Sequence, residues 1–505
     1  MKIGIDLGSS NSLAAFVGVE GDPILVPDAA DPRHESTPSR IMLQGDRVLI
    51  GYYAQKLGHE NAFATQVSNF KRHFGTNQVL AKAGSASLHS EAMAALLLKK
   101  LRNDVEIYTG QPVQGCVITV PAHFHDQQRR SLISAADIAD LEVIALLDEP
   151  IAAALQYGRN QPISDDEIVV IYDIGGGTFD LTVLTCVQGQ IHILAKSGLT
   201  DLGGFDFDRV VEDRFRDDFA KRFGKSVKPG ALNDTRIAGL AEDSKIFLNS
   251  TDGRWPQNDI YVDGKFLRWT MDPSKYQEKS LGLLKRTEAM VLKTLRGIGL
   301  ELADVSRFVP IGGASRGALV RKFWSERLDL SRQSFADEQP LASVAMGAAL
   351  YADSFVEGGA AAKFISKLKM SSVTAYNIGL LDEGSQAFER IIDKNTKLPA
   401  SGSALIRTAG GAQSGFAAQL CQYLDNPADL DQVGRITVQA RHLHGRDAIE
   451  IVLRNNDDGT LGIKVVDPRS GAVVPFEFED LTGGGRDIEA QRAAVASLRI
   501  NALDY

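Results

Sequence analysis

The sequence predicts an α/β domain followed by a small all-β domain. Through the first two-thirds of the 505 residues, apolar strands alternate with helical patterns, which is typical of a sheet covered by helices on both faces. Two similar glycine-containing segments, 5–11 and 172–178, each directly follow a short apolar strand. Beyond Gly358, short β-prone runs are separated by turn signals instead. A chain of this length is too long for one core and is expected to form two or three domains.

Hydrophobic periodicity predicts the individual elements in chain order. They are a strand over 113–120, a helix over 126–139, a strand over 142–147, a helix from 150 to 157, a buried strand over 168–173, a helix from 273 to about 296 and a strand over 308–311. Pro150 suits the first position of its helix, and Asp272 before Pro273 is a helix cap. After a connector near 358–369, strands are predicted over 436–440, 448–453 and 461–466, and a last helix over 488–498.

Composition excludes several classes of protein. A net charge of −9, with 44% hydrophobic and 24% charged residues, is typical of a soluble globular protein and argues against nucleic-acid or membrane-surface partners. No stretch is long and apolar enough to cross a membrane, and the chain enters its first strand at Lys2, so no signal peptide is expected. The three scattered cysteines predict free thiols in a reducing, cytoplasmic compartment.

The doubled segment predicts a phosphate site. Each copy places an aspartate, Asp6 or Asp173, before a glycine turn, and such turns bring backbone amides close to a ligand. With Asp180, these carboxylates are hard oxygen ligands that suit Mg²⁺, directly or through water. The competing interpretation is that turn aspartates only cap loops. The loop-capping interpretation is preferred for a single turn of this kind. Two related turns instead indicate a pair of hairpins that face each other across a polyphosphate.

Other polar residues give weaker signals. Ser9, Ser10 and Thr178 offer hydroxyls to phosphates. Lys71, taken by itself, is typical of a solvated surface lysine. The glycines of segment 312–316, which follows a strand, would allow a nucleoside to approach closely, but this signal is weak on its own. The nine histidines form no convincing site. His123 and the other loop histidines are interpreted as incidental, because no carboxylate or cysteine pattern joins them.

Six blocks of sequence carry a resemblance to a known family. They are residues 3–12, 117–122 with Phe124, 148–150 with 152–154, 173–180, 202–208 and 312–316. In order and spacing the chain resembles the seventy-kilodalton heat-shock chaperones, members of the actin-like ATPase superfamily, from residue 1 to about 353. The match is weaker beyond Val373, where Gly379 and the segments 373–374, 395–396 and 458–461 fit the family's peptide-binding β-domain.

The resemblance implies a domain plan and a function. The plan is a two-lobed actin-like ATPase domain over 1–355, a linker over 356–372, a β-sandwich peptide-binding domain over 373–481, and a short C-terminal helix over 482–505 in place of the family's long lid. The implied function is that of an ATP-dependent chaperone, which slowly hydrolyses ATP to ADP and phosphate and uses the cycle to bind and release peptide segments. The implied cofactors are ATP or ADP, Mg²⁺ and K⁺, and the implied partners are client polypeptides, a J-domain co-chaperone and a nucleotide exchange factor.

The resemblance also implies roles for individual residues. Lys71 would be the catalytic lysine, Glu149 would couple nucleotide state to domain motion, and Asp6, Asp173 and Asp180 would organise the ions and the attacking water. Residues implied to hold phosphates are Gly8, Ser9, Ser10, Asn11, Gly175, Gly176, Gly177, Thr178, Gly203 and Gly204. Those implied for the adenosine pocket are Glu242, Lys245, Ile246, Gly312, Gly313, Ser315 and Arg316. The implied peptide cleft comprises Leu380, Ile406, Phe416 and Ala418, although ordinary sandwich core is an equal alternative for these four.

The chain departs from the family pattern at three places, and the second and third departures favour a second function. Ile246 replaces the arginine that usually lies against adenine, and Asp148 replaces an asparagine that helps to engage the J-domain partner. The linker's usual leucine run is basic and interrupted over 364–372. We therefore expect weak coupling, with the two domains largely undocked in ATP. The alternative function is a nucleotide-binding scaffold or regulator with little turnover that holds one dedicated partner. A small-molecule kinase of the same superfamily is disfavoured by the C-terminal β-domain.

Overall fold

Two lobes of similar construction make up the first part of the protein. The computed structural model describes residues 1–58, 64–160, 163–250, 256–335, 342–362, 365, 371–407, 415–443, 448–480 and 487–501. The elements of lobe I are β1 (Lys2–Asp6), β2 (Asn11–Val17), β3 (Pro23–Leu25), β4 (Thr37–Pro38), β5 (Ile41–Gln44), β6 (Arg47–Ile50), α1 (Tyr52–Gly58), β7 (Thr65–Val67), β8 (Ala81–Ala83), β9 (Ala86–Leu88), α2 (Ser90–Thr109), β10 (Gly115–Val120), α3 (Asp126–Ile138), β11 (Val143–Asp148) and α4 (Glu149–Asn160).

Lobe II follows directly along the chain. Its elements are β12 (Ile168–Ile174), β13 (Phe179–Val187), β14 (Gln190–Leu199), α5 (Gly204–Phe223), α6 (Ala231–Ser250), β15 (Gln257–Val262), β16 (Lys265–Thr270), α7 (Pro273–Gly297), β17 (Arg307–Ile311), α8 (Ala318–Ser325) and β18 (Ser334–Phe335). Helix α9 (Ser343–Asp353) then returns to lobe I. Short 3₁₀ helices cover Phe70–His73, Leu302–Asp304 and Ala314–Arg316.

The main sheets of the two lobes have the same topology. Their strand orders are β3-β2-β1-β10-β11 and β14-β13-β12-β17-β18. In each sheet the first three strands along the chain pair antiparallel in order, the fourth pairs in parallel with the first, and the fifth pairs in parallel with the fourth. The repeated glycine segments are the β1–β2 and β12–β13 turns, so they occupy equivalent places. This repetition confirms the predicted α/β fold class with two lobes.

Helices α4 and α9 pack between the two sheets. Helix α9 contacts α4 and the strands β1, β2 and β10, while α4 also contacts β12 and β13. One buried cluster joins Val117 of the first sheet to Ile171 and Val309 of the second through alanines of the two helices, among them Ala152 and Ala348. Alanine lets helix and strand backbones approach closely, so this layer places the two hairpin turns opposite each other across a cleft.

Most predicted elements match the structure within a few residues. Helices α3 and α7 and strands β10, β12 and β17 confirm the predictions for those segments. The strand predicted over 436–440 is corrected, because β23 spans Asp431–Val438 and a short helix begins at Ala440. Residues 431–435 are mostly polar, so periodicity does not mark them, yet β23 pairs with β22 as far as residue 431. Hydrogen bonding to the neighbouring strand β22, rather than an apolar pattern, therefore sets the bounds of β23.

The C-terminal third contains a two-sheet β-domain, here residues 371–480. Its elements are β19 (Asn377–Asp382), β20 (Phe388–Ile392), β21 (Ala400–Arg407), β22 (Phe416–Tyr423), β23 (Asp431–Val438), α10 (Ala440–Leu443), β24 (Ala448–Asn455), β25 (Leu461–Val466) and β26 (Glu477–Asp480). The sheets have the orders β20-β19-β22-β23-β26 and β21-β24-β25. They enclose one apolar core that includes Ile436, Ile451 and Val465, as a sandwich requires. The predicted all-β domain is therefore present.

The β-domain is docked on lobe I through helix α3. The Gln127 side-chain amide donates to the Val433 carbonyl at 2.7 Å, and the Arg129 guanidinium donates to the Asp458 carbonyl at 2.8 Å. In return, the Leu461 amide donates to an Asp126 carboxylate oxygen at 2.6 Å. The domains are thus in contact here, while the expectation that they are largely undocked in ATP, which rested on the interrupted linker, stays a prediction. Contacts outside the linker join the domains, and linker residues 363–364 and 366–370 lie outside the described residues.

The chain finally returns to lobe I. Helix α11 (Ile488–Ser497) packs against α2, α3 and β9, and strand β27 (Arg499–Ile500) pairs in parallel with β6. The Ile50 amide donates to the Asn501 side-chain oxygen at 2.9 Å. The predicted last helix is confirmed, whereas residues 481–486 and 502–505 of the predicted C-terminal regions lie outside the described residues. Among the described helices, none has the length and apolarity that crossing a membrane requires.

Candidate functional site

The two hairpin turns meet at the floor of a cleft between the lobes. A Cβ atom added to Gly176 would lie 2.0 Å from the Ser10 hydroxyl oxygen, so the second turn approaches the first as closely as glycine permits. The cleft encloses a cavity of about 510 Å³, which is within the range of small-molecule sites. The expectation from the sequence that the two hairpins face each other is therefore met.

The cavity brings together most of the residues proposed from the sequence. Those that line it are Asp6, Gly8, Ser9, Ser10, Asn11, Lys71, Glu149, Asp173, Gly175, Gly176, Thr178, Gly204, Glu242, Lys245, Ile246, Gly312, Gly313 and Arg316. Residues of the implied site that lie behind this lining are Gly177, Asp180, Gly203 and Ser315.

Three of the four residues behind the lining make contacts that support it. Asp180 accepts a hydrogen bond from the Thr178 hydroxyl at 3.2 Å, and the Gly203 amide donates to Asp206 at 2.8 Å. Ser315 is fully buried and accepts from the Ile174 amide at 2.9 Å, which ties the 3₁₀ turn after β17 to the neighbouring strand β12. These residues hold the shape of the cavity wall.

Three carboxylates and a lysine share the floor of the cavity, and a fourth carboxylate lies behind it. Lys71 is 4% exposed, and its ammonium donates to Glu149 at 2.7 Å, while Asp6 accepts from the Thr119 hydroxyl at 3.2 Å. Burial raises the pKa of Asp6 to about 6 and, against the attraction of Lys71, raises the pKa of Glu149 to about 7. Burial, and then the charge of Glu149, raise the pKa of Asp173 well above its ordinary value.

These carboxylates fit a divalent cation. One oxygen of the buried Asp173 has no hydrogen-bond partner in the described structure, and Lys71 offsets only part of the charge of Asp6, Glu149, Asp173 and Asp180. Across the described residues, no group of three or more acidic, histidine or cysteine side chains is arranged to ligate a metal by itself. This arrangement suits Mg²⁺, which keeps several waters and takes further ligands from substrate phosphates.

Gly312 closes the wall beside Asp173. Its φ is +80°, and a Cβ atom there would lie 2.2 Å from the carboxylate oxygen of Asp173. Any other residue would therefore be strained in its backbone and would also displace the carboxylate. The glycine that the sequence associates with a nucleoside thus also preserves the geometry of the floor.

The other end of the cavity is formed by helix α6 and the turn after β17. Lys245 pairs with Asp208 at 2.8 Å, and Ile246 presents an apolar side chain that is 57% exposed. Glu242 forms an ion pair with Arg40 of lobe I, so the two lobes are joined at this end as well. The sequence did not suggest Arg40, because it belongs to no recognised block.

Two further residues at the floor were missed from the sequence. Arg72, next to Lys71, donates from Nε to the Gly177 carbonyl at 2.9 Å and pairs with Asp206 at 3.1 Å, and it thereby links the lobes. His123 is 2% exposed, and its Nδ1 lies 2.6 Å from an Asp180 oxygen. The interpretation of His123 as an incidental loop residue is therefore corrected. Its position inside the block 117–124 was the available signal.

Asp148 lies in a buried charge cluster where the domains meet. It pairs with Arg129 at 2.8 Å and also with Lys196. Burial opposes ionisation, but Lys196 and Arg129 together lower the pKa of Asp148 below its ordinary value. Asp148 is 6% exposed and is enclosed by its own chain. The sequence alone instead indicates a change in a partner-binding surface at Asp148.

The four residues of the implied peptide cleft divide into two groups. Leu380 and Ala418 are buried in the core of the β-domain, while Ile406 and Phe416 are partly buried at its edge. Near them, Arg435 donates to both oxygens of Glu383 at 2.7 and 2.6 Å, a geometry that holds both side chains in place. The structure places the four together without separating a cleft from an ordinary core.

Comparison with known proteins agrees with this arrangement of cavity and domains. A family model described as "Hsp70 protein" matches residues 2–492. The chain is similar to a protein named "Chaperone protein DnaK" from Cenarchaeum symbiosum (strain A), with 33% identity over 438 residues. The alignment covers 85% of this chain and 65% of that relative, so the chain spans less than two-thirds of its length. The fold is that of the two-lobed actin-like superfamily. More specifically, the chain belongs to the Hsp70 family of chaperones.

Proposed function

We propose that this protein binds ATP with Mg²⁺, hydrolyses it slowly to ADP and phosphate, and uses the cycle to bind and release peptide segments. The observation that carries the proposal is the cavity itself, where two facing glycine turns meet beside a buried lysine and several carboxylates. The activity of the longer relatives is a family property, so its presence in this shorter chain is part of the proposal.

The residues of the cavity have complementary roles in the proposed reaction. Ser9, Ser10 and Thr178 donate hydroxyl hydrogen bonds to phosphates, together with the amides of both turns. Lys71, oriented by Glu149, places a positive charge beside the transferring phosphoryl group. Asp6, Asp173 and Asp180 would hold Mg²⁺, mainly through water, and potassium ions. When bound, the metal neutralises charge on the phosphate oxygens.

The adenosine end is apolar on one side and polar on the other. Ile246 offers a surface for the flat base, and Glu242 and Lys245 offer hydrogen bonds to a ribose. Without the arginine usual in the family, the cation–π attraction to adenine is missing. The nucleotide is then held mainly at its phosphate end. We therefore propose that affinity depends more strongly on phosphate and magnesium than on the base.

The β-domain is the proposed peptide-binding part. Ile406 and Phe416 at the edge of its core would contact short, extended apolar segments of client polypeptides. A J-domain co-chaperone and a nucleotide exchange factor remain proposed partners, and neither a nucleic acid nor a membrane is proposed. We also propose a cytoplasmic location, which is supported by the free and buried state of Cys116, Cys186 and Cys421.

Single-turnover hydrolysis of radiolabelled ATP tests the proposal. The Lys71→Ala variant should hydrolyse ATP ~10²-fold or more slowly, a loss of about 3 kcal/mol, with ATP affinity nearly unchanged, because the lysine acts on the transferring phosphate. The matched control is Lys82→Ala, an exposed lysine of strand β8, which should behave like the parent. Hydrolysis by Lys71→Ala at the parental rate would contradict the assigned role.

One observation favours the second candidate, a scaffold or regulator that binds nucleotide with little turnover. The β-domain is docked through buried polar groups of α3, and one of them, Arg129, is also paired with Asp148 of β11. Such an interface suits one stable arrangement rather than repeated cycling. ATP binding without measurable hydrolysis in the same assay would favour this function. Phosphate transferred to a sugar, instead of released, would identify the disfavoured kinase.

A further inference from the structure

His123 connects the carboxylate floor with the β-domain. Its ring nitrogen Nδ1 lies 2.6 Å from an Asp180 oxygen, and both side chains are 2% exposed. Its backbone carbonyl accepts a hydrogen bond from the Tyr376 hydroxyl, which belongs to the segment that leads into β19. One residue therefore contacts both the proposed catalytic floor and the docked domain.

The ring is fixed in one orientation. A Cβ atom added to Gly198 of β14 would lie 2.9 Å from His123 Nδ1, so the ring packs directly on that strand. The Phe124 ring meets it edge-on at 6.3 Å between centroids. The 2.6 Å separation of Nδ1 from the Asp180 oxygen is a hydrogen-bond distance, and Nδ1 is the donor whenever the carboxylate is ionised, because an ionised carboxylate only accepts hydrogen bonds.

Stability alone does not account for this histidine. Its other nitrogen, Nε2, is buried and has no hydrogen-bond partner among the described residues. A buried polar atom without a partner costs free energy, whereas an apolar side chain of similar size would avoid that cost. The gain from the ring must then come from the hydrogen bond that it does make, to Asp180.

That bond fixes a carboxylate with a proposed catalytic role. One Asp180 oxygen accepts from His123, and the other accepts from the Thr178 hydroxyl at 3.2 Å. With both oxygens held, the Asp180 carboxylate has a single orientation behind the phosphate turn. Loss of the His123 donor leaves one oxygen free and lets the carboxylate rotate.

The contact with Tyr376 fixes the other end. The Tyr376 side chain is buried, and burial raises the pKa of its hydroxyl, which keeps it a neutral donor. The backbone of His123 is thereby held by a residue of the β-domain. Undocking of that domain would release the carbonyl of His123 and loosen the loop that carries its ring.

We propose that His123 is a positioning residue, which orients Asp180 for ATP hydrolysis and makes that orientation depend on the contact with Tyr376. The inference rests on the proposed ATPase function. It does not require His123 to touch nucleotide or metal. Its expected signature is a loss in the chemical step without a loss in nucleotide affinity.

Three substitutions of His123 separate positioning from packing. Asn places its side-chain NH₂ where Nδ1 lies, Gln places it nearer to Nε2, and Leu removes the donor. His123→Asn should keep single-turnover hydrolysis within about threefold of the parent, and His123→Leu and His123→Gln should lose about tenfold or more, with ATP affinity unchanged in all three. Equal losses in Asn and Leu, or a loss of ATP affinity that matches the loss of rate, would overturn the proposal.

Nuclear magnetic resonance tests the hydrogen bond without any turnover. In nucleotide-free protein labelled with ¹⁵N-histidine, the His123 signals are those that disappear in His123→Asn from the set of nine histidines. A nitrogen shift that shows a proton on Nδ1 is expected, and a ring without a proton on Nδ1 would overturn the proposal. If the parent protein shows a proton on His123 Nδ1 but does not hydrolyse ATP, the proposed ATPase function is wrong while the hydrogen bond to Asp180 is confirmed.

Tyr376→Phe tests the link to the β-domain, because it removes only the hydroxyl. It should slow hydrolysis by about threefold or more in the parent and have no further effect in His123→Leu, since both changes then act through one contact. If the losses of hydrolysis rate in Tyr376→Phe and His123→Leu are fully additive in the double variant, Tyr376 does not act through His123 and the link is overturned. A melting temperature for Tyr376→Phe near that of the parent would show that the fold is retained.

Discussion

Burial makes ionisation of the carboxylates at the floor of the cavity unfavourable. Raised pKa values mean that the folded protein binds more protons than the unfolded chain between roughly pH 4 and pH 7. The stability that these groups contribute is therefore fully present below their unfolded pKa, and it is lost as pH rises through about 6 and 7, the values for Asp6 and Glu149. Near neutral pH the empty site opposes folding, and a bound cation relieves that opposition.

Asp173→Asn is expected to act in opposite directions on stability and on turnover. It removes a buried carboxylate whose pKa is raised, so the nucleotide-free variant should melt about 2 °C or more above the parent at pH 8. The difference should shrink as the pH is lowered, because the raised pKa favours the protonated form of the parent carboxylate. Hydrolysis should nevertheless fall, since the metal loses a hard ligand.

The control for that prediction is Asp272→Asn. Asp272 is partly exposed and caps α7 by accepting from the Ser274 amide at 2.8 Å, a bond that asparagine also makes. Neither its melting temperature nor its turnover should change appreciably. If Asp173→Asn instead melts below the parent at pH 8, its ionised form stabilises the empty site, and the electrostatic argument is wrong.

The residues of this site differ in how far the sequence reveals them. Asp6 and Asp173 are visible because the same turn occurs twice after a strand. Lys71 gains a role only by resemblance, since a lone lysine in a short 3₁₀ turn has no pattern of its own. His123 and Arg72 act on partners more than fifty positions away, and such pairings arise from packing that no local spacing encodes.

At the scale of elements, helix α11 is an integral part of lobe I. Val495 is 1% exposed and belongs to the core of that lobe, whereas the Glu489 side chain on the same helix is 83% exposed. Val495→Ala should therefore lower the free energy of unfolding by roughly 1–3 kcal/mol, measured by chemical denaturation. Glu489→Ala is the matched control and should stay within about 0.5 kcal/mol of the parent. Equal effects of the two would place α11 outside the folded unit.

Strand β22 carries the test of the peptide cleft. Phe416→Ala should reduce the affinity for short apolar peptides with a modest loss of stability if the ring lines a cleft. A core ring would instead cost ~3–5 kcal/mol. The control is Phe478→Ala on β26 of the same sheet, where the ring is 41% exposed. Peptide arrays and denaturation of both variants measure the two quantities. Unchanged peptide affinity in Phe416→Ala would remove this residue from the proposed cleft.

At the scale of the whole molecule, docking of the β-domain depends on polar contacts of α3. Arg129→Leu removes the hydrogen bond to the Asp458 carbonyl, worth about 1.5–3 kcal/mol for a charged donor. The docking equilibrium should then weaken by roughly 10–100-fold, and small-angle scattering should show a larger radius of gyration. Arg236→Leu, whose partner Tyr261 lies within lobe II, is the control. An unchanged radius for Arg129→Leu would show that other contacts hold the domains together.

The order of the domains was predictable, and their contact was not. Alternating strands and helices mark the lobes, and turn-separated strands mark the β-domain, because each pattern reflects local burial. The docking surface includes Asp126, Gln127 and Arg129, which read from the sequence as an ordinary polar helix face. Their partners include backbone groups at Val433 and Asp458, and backbone groups have no signature in the sequence.

The short pairing of β27 with β6 has a mechanical consequence. Tension applied between Met1 and Asn501 passes first through lobe I, because both β1 and β27 belong to it. The β-domain lies in the stretch of chain between these anchor points and initially bears no load. Only two residue pairs join β27 to β6, so an optical trap should record an early, low-force extension of about 50 Å as residues 487–501 peel away. Force would reach the β-domain only after that step.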